Sequence, residues 1–390
     1  MHSDCEGARR QFSCAGQFRR GGLGASLAIA LLAVTHAATP VQAQGTTGEA
    51  RSRIERQVTP RTLSRLLLIA ATSAGKRLVA VGEHGYVVYS DDQGKTWLRG
   101  STPRRAMLTA VAFADDTHGW VVGHDGQILA SQDAGATWTE QRYKPDDKQP
   151  LFAVRFSDRE HGAALGAYGL FLETADAGKT WTPRPIMQED KHLYAVASDG
   201  AGRMAIAAEA GALLLSADQG RTWEAAMSPY KGSFFGLLPT GDGALLAYGL
   251  RGNIFKSGDF GKTWAASISE GTATLQGGAR LASGEIVLVG SAGAVLSSRD
   301  NGATFQRVPG QRAITYSAVL PTATGALLLG EAGAVPYVPA AGPAGSPPKP
   351  ANSAQAATPA APPASAANTA PAVATLPPAA AGNAPAKGAP

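Results

Sequence analysis

Two carboxylates stand side by side in the octapeptide Ser90-Asp91-Asp92-Gln93-Gly94-Lys95-Thr96-Trp97. Adjacent acids could work as a general acid and base, or open a calcium loop. The octapeptide, however, returns as SQDAGATW (131–138), TADAGKTW (174–181), SADQGRTW (216–223), SGDFGKTW (257–264) and SRDNGATF (298–305). Only one acid recurs, as Asp92, Asp133, Asp176, Asp218, Asp259 and Asp300. The place of Asp91 is taken by Gln132, Ala175, Ala217, Gly258 and Arg299, so the two acids are not a catalytic pair, and Asp91 reads as an interchangeable surface residue. An EF-hand loop needs a glutamate at its twelfth position. Counting from Asp91 or Asp92 gives Thr102 or Pro103. No metal is expected here.

A turn accounts for every recurring position. The aspartate accepts hydrogen bonds from its own turn, as Asx turns do, and the Ser90 and Thr96 hydroxyls join in. Gly94 takes a positive φ without steric cost. The box ends on a ring, Trp97, Trp138, Trp181, Trp223, Trp264 or Phe305, sized to fill a gap between packed sheets.

The elements that must hold these turns follow from their spacing. Successive box aspartates are 41, 43, 42, 41 and 41 residues apart, and a fixed period near 40 signals a repeat architecture. A second mark precedes each box: VGEHG (81–85), VGHDG (122–126), LGAYG (165–169), AAEAG (207–211), YGLRG (248–252) and VGSAG (289–293). A seventh copy, LGEAG (329–333), has no box after it. Each unit reads as four short strands. In the second they are 108–114, 119–124, 127–131 and 137–142. Four strands per period predict an all-β fold, a seven-bladed β-propeller with four-stranded blades. The last unit lacks a fourth strand, and Arg56 to Thr59 falls at the right chain distance to supply it. The expectation is a last blade closed by the N-terminal strand, three strands plus one, with a stacked β-solenoid as the competing repeat fold.

Residues 1–43 read as a secretory signal: Arg9, Arg10, Arg19 and Arg20 precede the apolar stretch 23–33, and Val41-Gln42-Ala43 fits a cleavage site. A cut near Ala37 or Ala38 is the alternative. Arg19-Arg20 leaves Sec and twin-arginine export both open. Cys5 and Cys14 are the chain's two cysteines; cleavage removes both, and with them any disulfide or thiolate chemistry. It also removes four arginines and two acids, lowering the net charge from +5 to +3. Without a basic run, nucleic acid is not an expected partner. Residues 44–52 read as a linker, 53–338 as the propeller, and 339–390 as a disordered Ala/Pro-rich tail with too little apolar surface to fold. The expected protein is exported, periplasmic or secreted, monomeric, without a transmembrane segment in the mature chain and without a cofactor.

In a propeller the turns between second and third strands share a face with the loops joining blades, and the boxes lie opposite. That loop face is the candidate binding surface. Its candidates are Arg104, Arg105, Arg142, Lys144, Arg184, Lys231, Arg251, Arg312, His84 and His124. They form a basic bias suited to an acidic segment of a protein partner, or a merely solvated rim. His84, His124 and Asp125 offer a weaker metal reading.

The motif Ser-x-Asp-x-Gly-x-Thr-Trp resembles the Asp-box, or bacterial neuraminidase repeat. Seven even units with a G-x-x-G turn before each box resemble, over about 53–338, the photosystem II stability/assembly factor family. The resemblance implies a non-catalytic assembly or docking propeller for a membrane or periplasmic complex. It also implies an arginine patch beside the channel, carried over to Arg104, Arg105, Arg142 and Arg251. The Ala/Pro tail is a departure from that family. The alternatives are a sialidase-like glycoside hydrolase, needing three arginines, a tyrosine–glutamate pair and an aspartate, or a glycan binder stacking sugars on Tyr168 and Tyr230.

Overall fold

The computed structural model describes residues 56–241 and 243–339. The expected signal (1–43), linker (44–52) and nearly all of the 339–390 tail lie outside the described residues. Contacts group the chain into one compact unit ending at Tyr337 and a second beginning at Val338.

Seven sheets follow one another along the first unit, antiparallel except where Ile268–Ser269, after the fifth blade, pairs parallel with Thr304–Arg307 of the sixth. The second blade shows the pattern: Leu108–Phe113, Gly119–Gly123, Ile128–Ser131 and Thr139–Arg142, each paired with the next. The fold is an all-β, seven-bladed propeller with four-stranded blades. The core lies between blades. Val79, Val81 and Val87 of the first blade meet Leu108, Val121, Leu129 and Trp138 of the second. Leu320, Leu327 and Leu329 of the seventh meet Leu68, Leu78 and Trp97 of the first, closing the ring. Alternation along each strand therefore buries both faces, one against each neighbour.

The closure differs from the three-plus-one expectation. The seventh sheet has three strands, Tyr316–Thr322, Gly325–Gly330 and Gly333–Pro336. The N-terminal strand Gln57–Val58 instead pairs antiparallel with Trp97–Arg99, as a fifth strand of the first blade. A single helical turn, Pro60–Leu63, follows it, capped by Thr59 with proline at its start. This turn redirects the chain so that Val58 packs beside Trp97 and Leu327. The segment still closes the ring as a loop. Gly333 N–H donates to Leu66 O at 2.9 Å, where Gly169 and Gly293 donate to their own blade-joining loops, at Lys191 O and Ile314 O.

The candidate partner-binding face and the box face

The six boxes share one hydrogen-bond pattern. In the first, Ser90 Oγ donates to Asp92 Oδ1 and accepts from Gly94 N–H, both at 2.8 Å. Asp92 accepts Thr96 N–H at 2.8 Å and the Thr96 hydroxyl at 2.6 Å. Gln93 and Gly94 are both left-handed, at φ 62° and 86°. Asp133, Asp176, Asp218, Asp259 and Asp300 repeat the threonine contacts. Donation by the Thr180 N–H and hydroxyl holds the Asp176 carboxyl down at about 2. At Asp92 burial pushes upward, but the bonds from Thr96 and Ser90 outweigh it and the net shift is downward. A carboxylate so satisfied has no lone pair poised for acid–base work.

Box backbone also ties blade to blade. Arg77 of the first blade donates to Asp133 O at 3.2 Å. Gln141 of the second donates to Ala177 O at 2.8 Å, and Ser267 of the fifth to Gly302 O at 2.7 Å. Asp91, read as interchangeable, is held in a two-pronged ion pair by Arg77, at 2.6 and 3.0 Å. Arg184 was expected on the loop face, but its guanidinium lies against the fourth blade's box. It donates to Gly220 O at 2.6 Å and Arg221 O at 3.1 Å while forking onto Glu173. The cause is Glu173 on the neighbouring strand, which anchors it there. The indole N–H groups of the boxes are not alike. Trp97, Trp138 and Trp264 donate to Gly94, Gly135 and Gly261 O, whereas those of Trp181 and Trp223 have no partner among the described residues.

On the loop face, the first residue of every second-to-third-strand turn donates its N–H to the carbonyl just before its blade's inner strand, at 2.9–3.1 Å. In six blades the next residue is left-handed: His84, Asp125, Tyr168, Ala210, Arg251 and Ala292, at φ 52–58°. The tips thus present variable side chains from a fixed frame. Glu83, Glu209 and Glu331 are part of the frame, accepting the backbone N–H of Leu67, His192 and Thr315.

The expected basic residues divide into two groups. Arg104 pairs with Glu140 and lies 3.9 Å over the Tyr143 ring. Arg142 is nearly buried, donating to Gly126 O at 2.7 Å and to Asp147 at 3.3 Å, and burial lowers its pKa. These two brace loops. Arg105, Lys144, Lys231, Arg251 and Arg312 are exposed, and among the described residues their side chains have no ion-pair partner. His84 is exposed at its tip, 3.6 Å from Glu83, and His124 is exposed in the next blade. Among the described residues no group of three or more His, Cys, Asp or Glu is placed to hold a metal ion. Tyr230 packs against Phe234 and Phe255, whereas Tyr168 is 55 % exposed.

One feature of this face was not visible in the sequence. Every inner strand has a register shift at its second residue. The extra residues are Ile69, Thr109, Phe152, Tyr194, Phe235, Gln276 and Ser317. A bulge re-aims its side chain out of the ladder, and in blades three to five the re-aimed side chains are aromatic. Phe152 and Tyr194 rings are 5.7 Å apart, and Tyr194 and Phe235 5.0 Å. His192 joins them, edge-on to Phe152, and its ring meets Tyr168 at 4.9 Å. His192 Nδ1 also accepts the Tyr168 N–H at 3.0 Å, fixing the left-handed tip.

Residues 146–315 match the family model described as photosynthesis system II assembly factor YCF48, and 88–97 match the BNR/Asp-box repeat. No curated protein matches the chain. Among solved structures, it is similar to one described as YCF48 bound to D1 peptide, at 19 % identity and TM-score 0.56, covering 70 % of this chain and 91 % of that one. A similar structure is YCF48 from Cyanidioschyzon merolae, at 16 % identity and TM-score 0.56, covering 72 % and 97 %. The WD40 propeller domain of Doa1 matches at 14 % identity and TM-score 0.56, covering 70 % and 92 %. Such identities show a shared propeller fold, and the Asp-boxes and the matched family model add a sequence resemblance. This chain is an Asp-box propeller that resembles the photosystem II assembly factor-like family over residues 146–315.

Proposed function

We propose that this chain is a non-catalytic docking propeller, exported to the periplasm, that binds an acidic segment of a protein client and so supports assembly of a membrane or periplasmic complex. The observation that carries the reading is the contrast on the loop face. Five exposed cations without ion-pair partners, Arg105, Lys144, Lys231, Arg251 and Arg312, surround a frame whose own acids are engaged. They outnumber the exposed acids of the same loops that have none among the described residues, Asp146, Asp190 and Glu270. An excess of unpaired surface charge of one sign steers an oppositely charged partner. The match of residues 146–315 to an assembly-factor family model, and a similar propeller described as bound to a peptide, support the same reading. Among the described residues no helix is long and apolar enough to cross a membrane.

A sialidase needs a tyrosine nucleophile with a glutamate beside it. Tyr337 donates its hydroxyl to Glu285 at 3.0 Å, but its ring is buried, out of a sugar's reach. Tyr194 lies near Glu209, whose carboxylate accepts the His192 N–H.

The test is affinity capture from detergent-solubilised membranes with the tagged chain and with a triple variant, Arg105→Glu, Lys231→Glu and Arg251→Glu. The expected result is a captured integral membrane protein whose yield falls about tenfold or more in the variant and with added salt. Undiminished capture, or hydrolysis of a fluorogenic sialoside by the pure protein, would overturn the reading. N-terminal sequencing of the exported protein should begin near Gln44.

A further inference from the structure

Arg155 breaks the repeat inside the ring. It occupies the fifth position of the inner strand Leu151–Phe156, paired with Ala163. The same register position in the other blades holds Thr72, Ala112, Ala197, Leu238, Ala279 and Leu320. Strand alternation turns Arg155 toward the fourth blade, since Ala153 packs there and Val154 packs toward the second. At the next interface the same position, Ala197, is backed by the buried Phe260 ring of the following box. At the third-to-fourth interface the box residue equivalent to Phe260 is Gln219, and no ring closes the gap. A cleft of about 890 Å³ opens there on the box face, lined by Arg155, Ser157, Phe171, Met204, Gln219 and Trp223 among others.

The acids around this cleft already have partners. Glu173 is forked by Arg184 at 2.6 and 2.8 Å. Asp158 accepts from His161 and from backbone N–H groups at 2.8–3.0 Å. Asp199 is held by Arg203 at 2.6 Å and reaches Arg155 only through longer-range attraction. The Arg155 guanidinium has no hydrogen-bond or ion-pair partner among the described residues, and burial holds its pKa below the ordinary arginine value. A half-buried cation without a partner, in a cleft with aromatic and thioether walls, destabilises the fold unless something uses it. Its planar fork matches a carboxylate or a phosphate, and the cleft volume is that of a small-molecule site.

We infer that the cleft between the third and fourth blades binds a small organic anion, its acidic head on Arg155 and its apolar body against Phe171, Met204 and Trp223. This site lies on the face opposite the proposed docking surface and does not depend on that reading.

The test is calorimetric titration of the whole chain with indole-3-acetate, hexanoate, phenyl phosphate and, as controls, inorganic phosphate and sulfate. At least one organic anion should bind saturably. Binding should weaken about tenfold or more in Arg155→Gln, as loss of a charged hydrogen bond predicts. The accompanying change in tryptophan fluorescence should disappear in Trp223→Phe. Carboxylate binding without phenyl phosphate binding, or the reverse, identifies the head group. Binding of inorganic ions alone, no binding at all, or binding indifferent to Arg155→Gln overturns the proposal. A second variant needs no ligand: Arg155→Leu, copying Leu238 and Leu320, should raise Tm. A fall in Tm would show that Arg155 holds the interface together, and would equally overturn the inference.

Discussion

The box face and the loop face are made by the same repeat, and they differ in what each copy keeps. On the box face the copies keep their side chains. Serine or threonine, aspartate, glycine and threonine recur because each makes a bond that the hairpin needs. On the loop face the copies keep backbone. A turn N–H reaches the same carbonyl seven times, while the tips vary from histidine to tyrosine to arginine. Side-chain identity held constant around a ring marks structure. Backbone held constant beneath changing side chains marks a surface free to specialise.

This contrast can be broken most forcefully at Trp97. Its ring is fully buried where the last blade meets the first, so Trp97→Ala should cost about 3–5 kcal/mol and show as a lower urea midpoint. A smaller loss, roughly 1–2 kcal/mol, is expected for Asp92→Ala, which removes turn hydrogen bonds. Client capture by the folded variant should be unchanged. Full stability with lost capture would mean that the box face carries the function.

Acid provides a test of all six boxes together. The Asp176 carboxyl titrates at about 2 in the fold, against about 3.9 unfolded. The folded value is the lower one, so its contribution is complete above the unfolded pKa and is lost as pH falls through the folded one. Every box aspartate is shifted the same way. Stability followed by urea midpoint should therefore drop between about pH 5 and pH 2, and Asp176→Asn should make the drop shallower. The smallest effect is expected at Asp91→Asn. Its pair with Arg77 is partly exposed, and such pairs contribute under about 1 kcal/mol.

The sequence made the ring legible because the boxes and glycine turns repeat, and repetition shows in a single chain. It made the loop-face bulges invisible. LFAVRF (151–156) and LYAVAS (193–198) read as plain inner strands, and an unpaired second residue leaves no mark in residue type. Arg155 did leave one, as a charge inside an apolar strand, but its meaning required the register of the six other blades. Arg184 was misplaced for a related reason. Chain position put it after the outer strand, near the loops, while Glu173 drew its long side chain toward the box face. The N-terminal strand was placed by chain distance alone, and a single capped helical turn changed its partner.

The closure has a mechanical consequence. The chain itself crosses each of the other six junctions, whereas the seventh sheet meets the first with no covalent connection between them. The seam is held by side-chain packing, by Gly333 bonded to Leu66, and by Ala323 N–H bonded to Gln93 at 2.9 Å. A ring fastened in this way behaves as a clasp. Under pulling force or mild denaturant it should open at one place while the other six junctions hold, and amide exchange should be fastest along Gly333–Pro336.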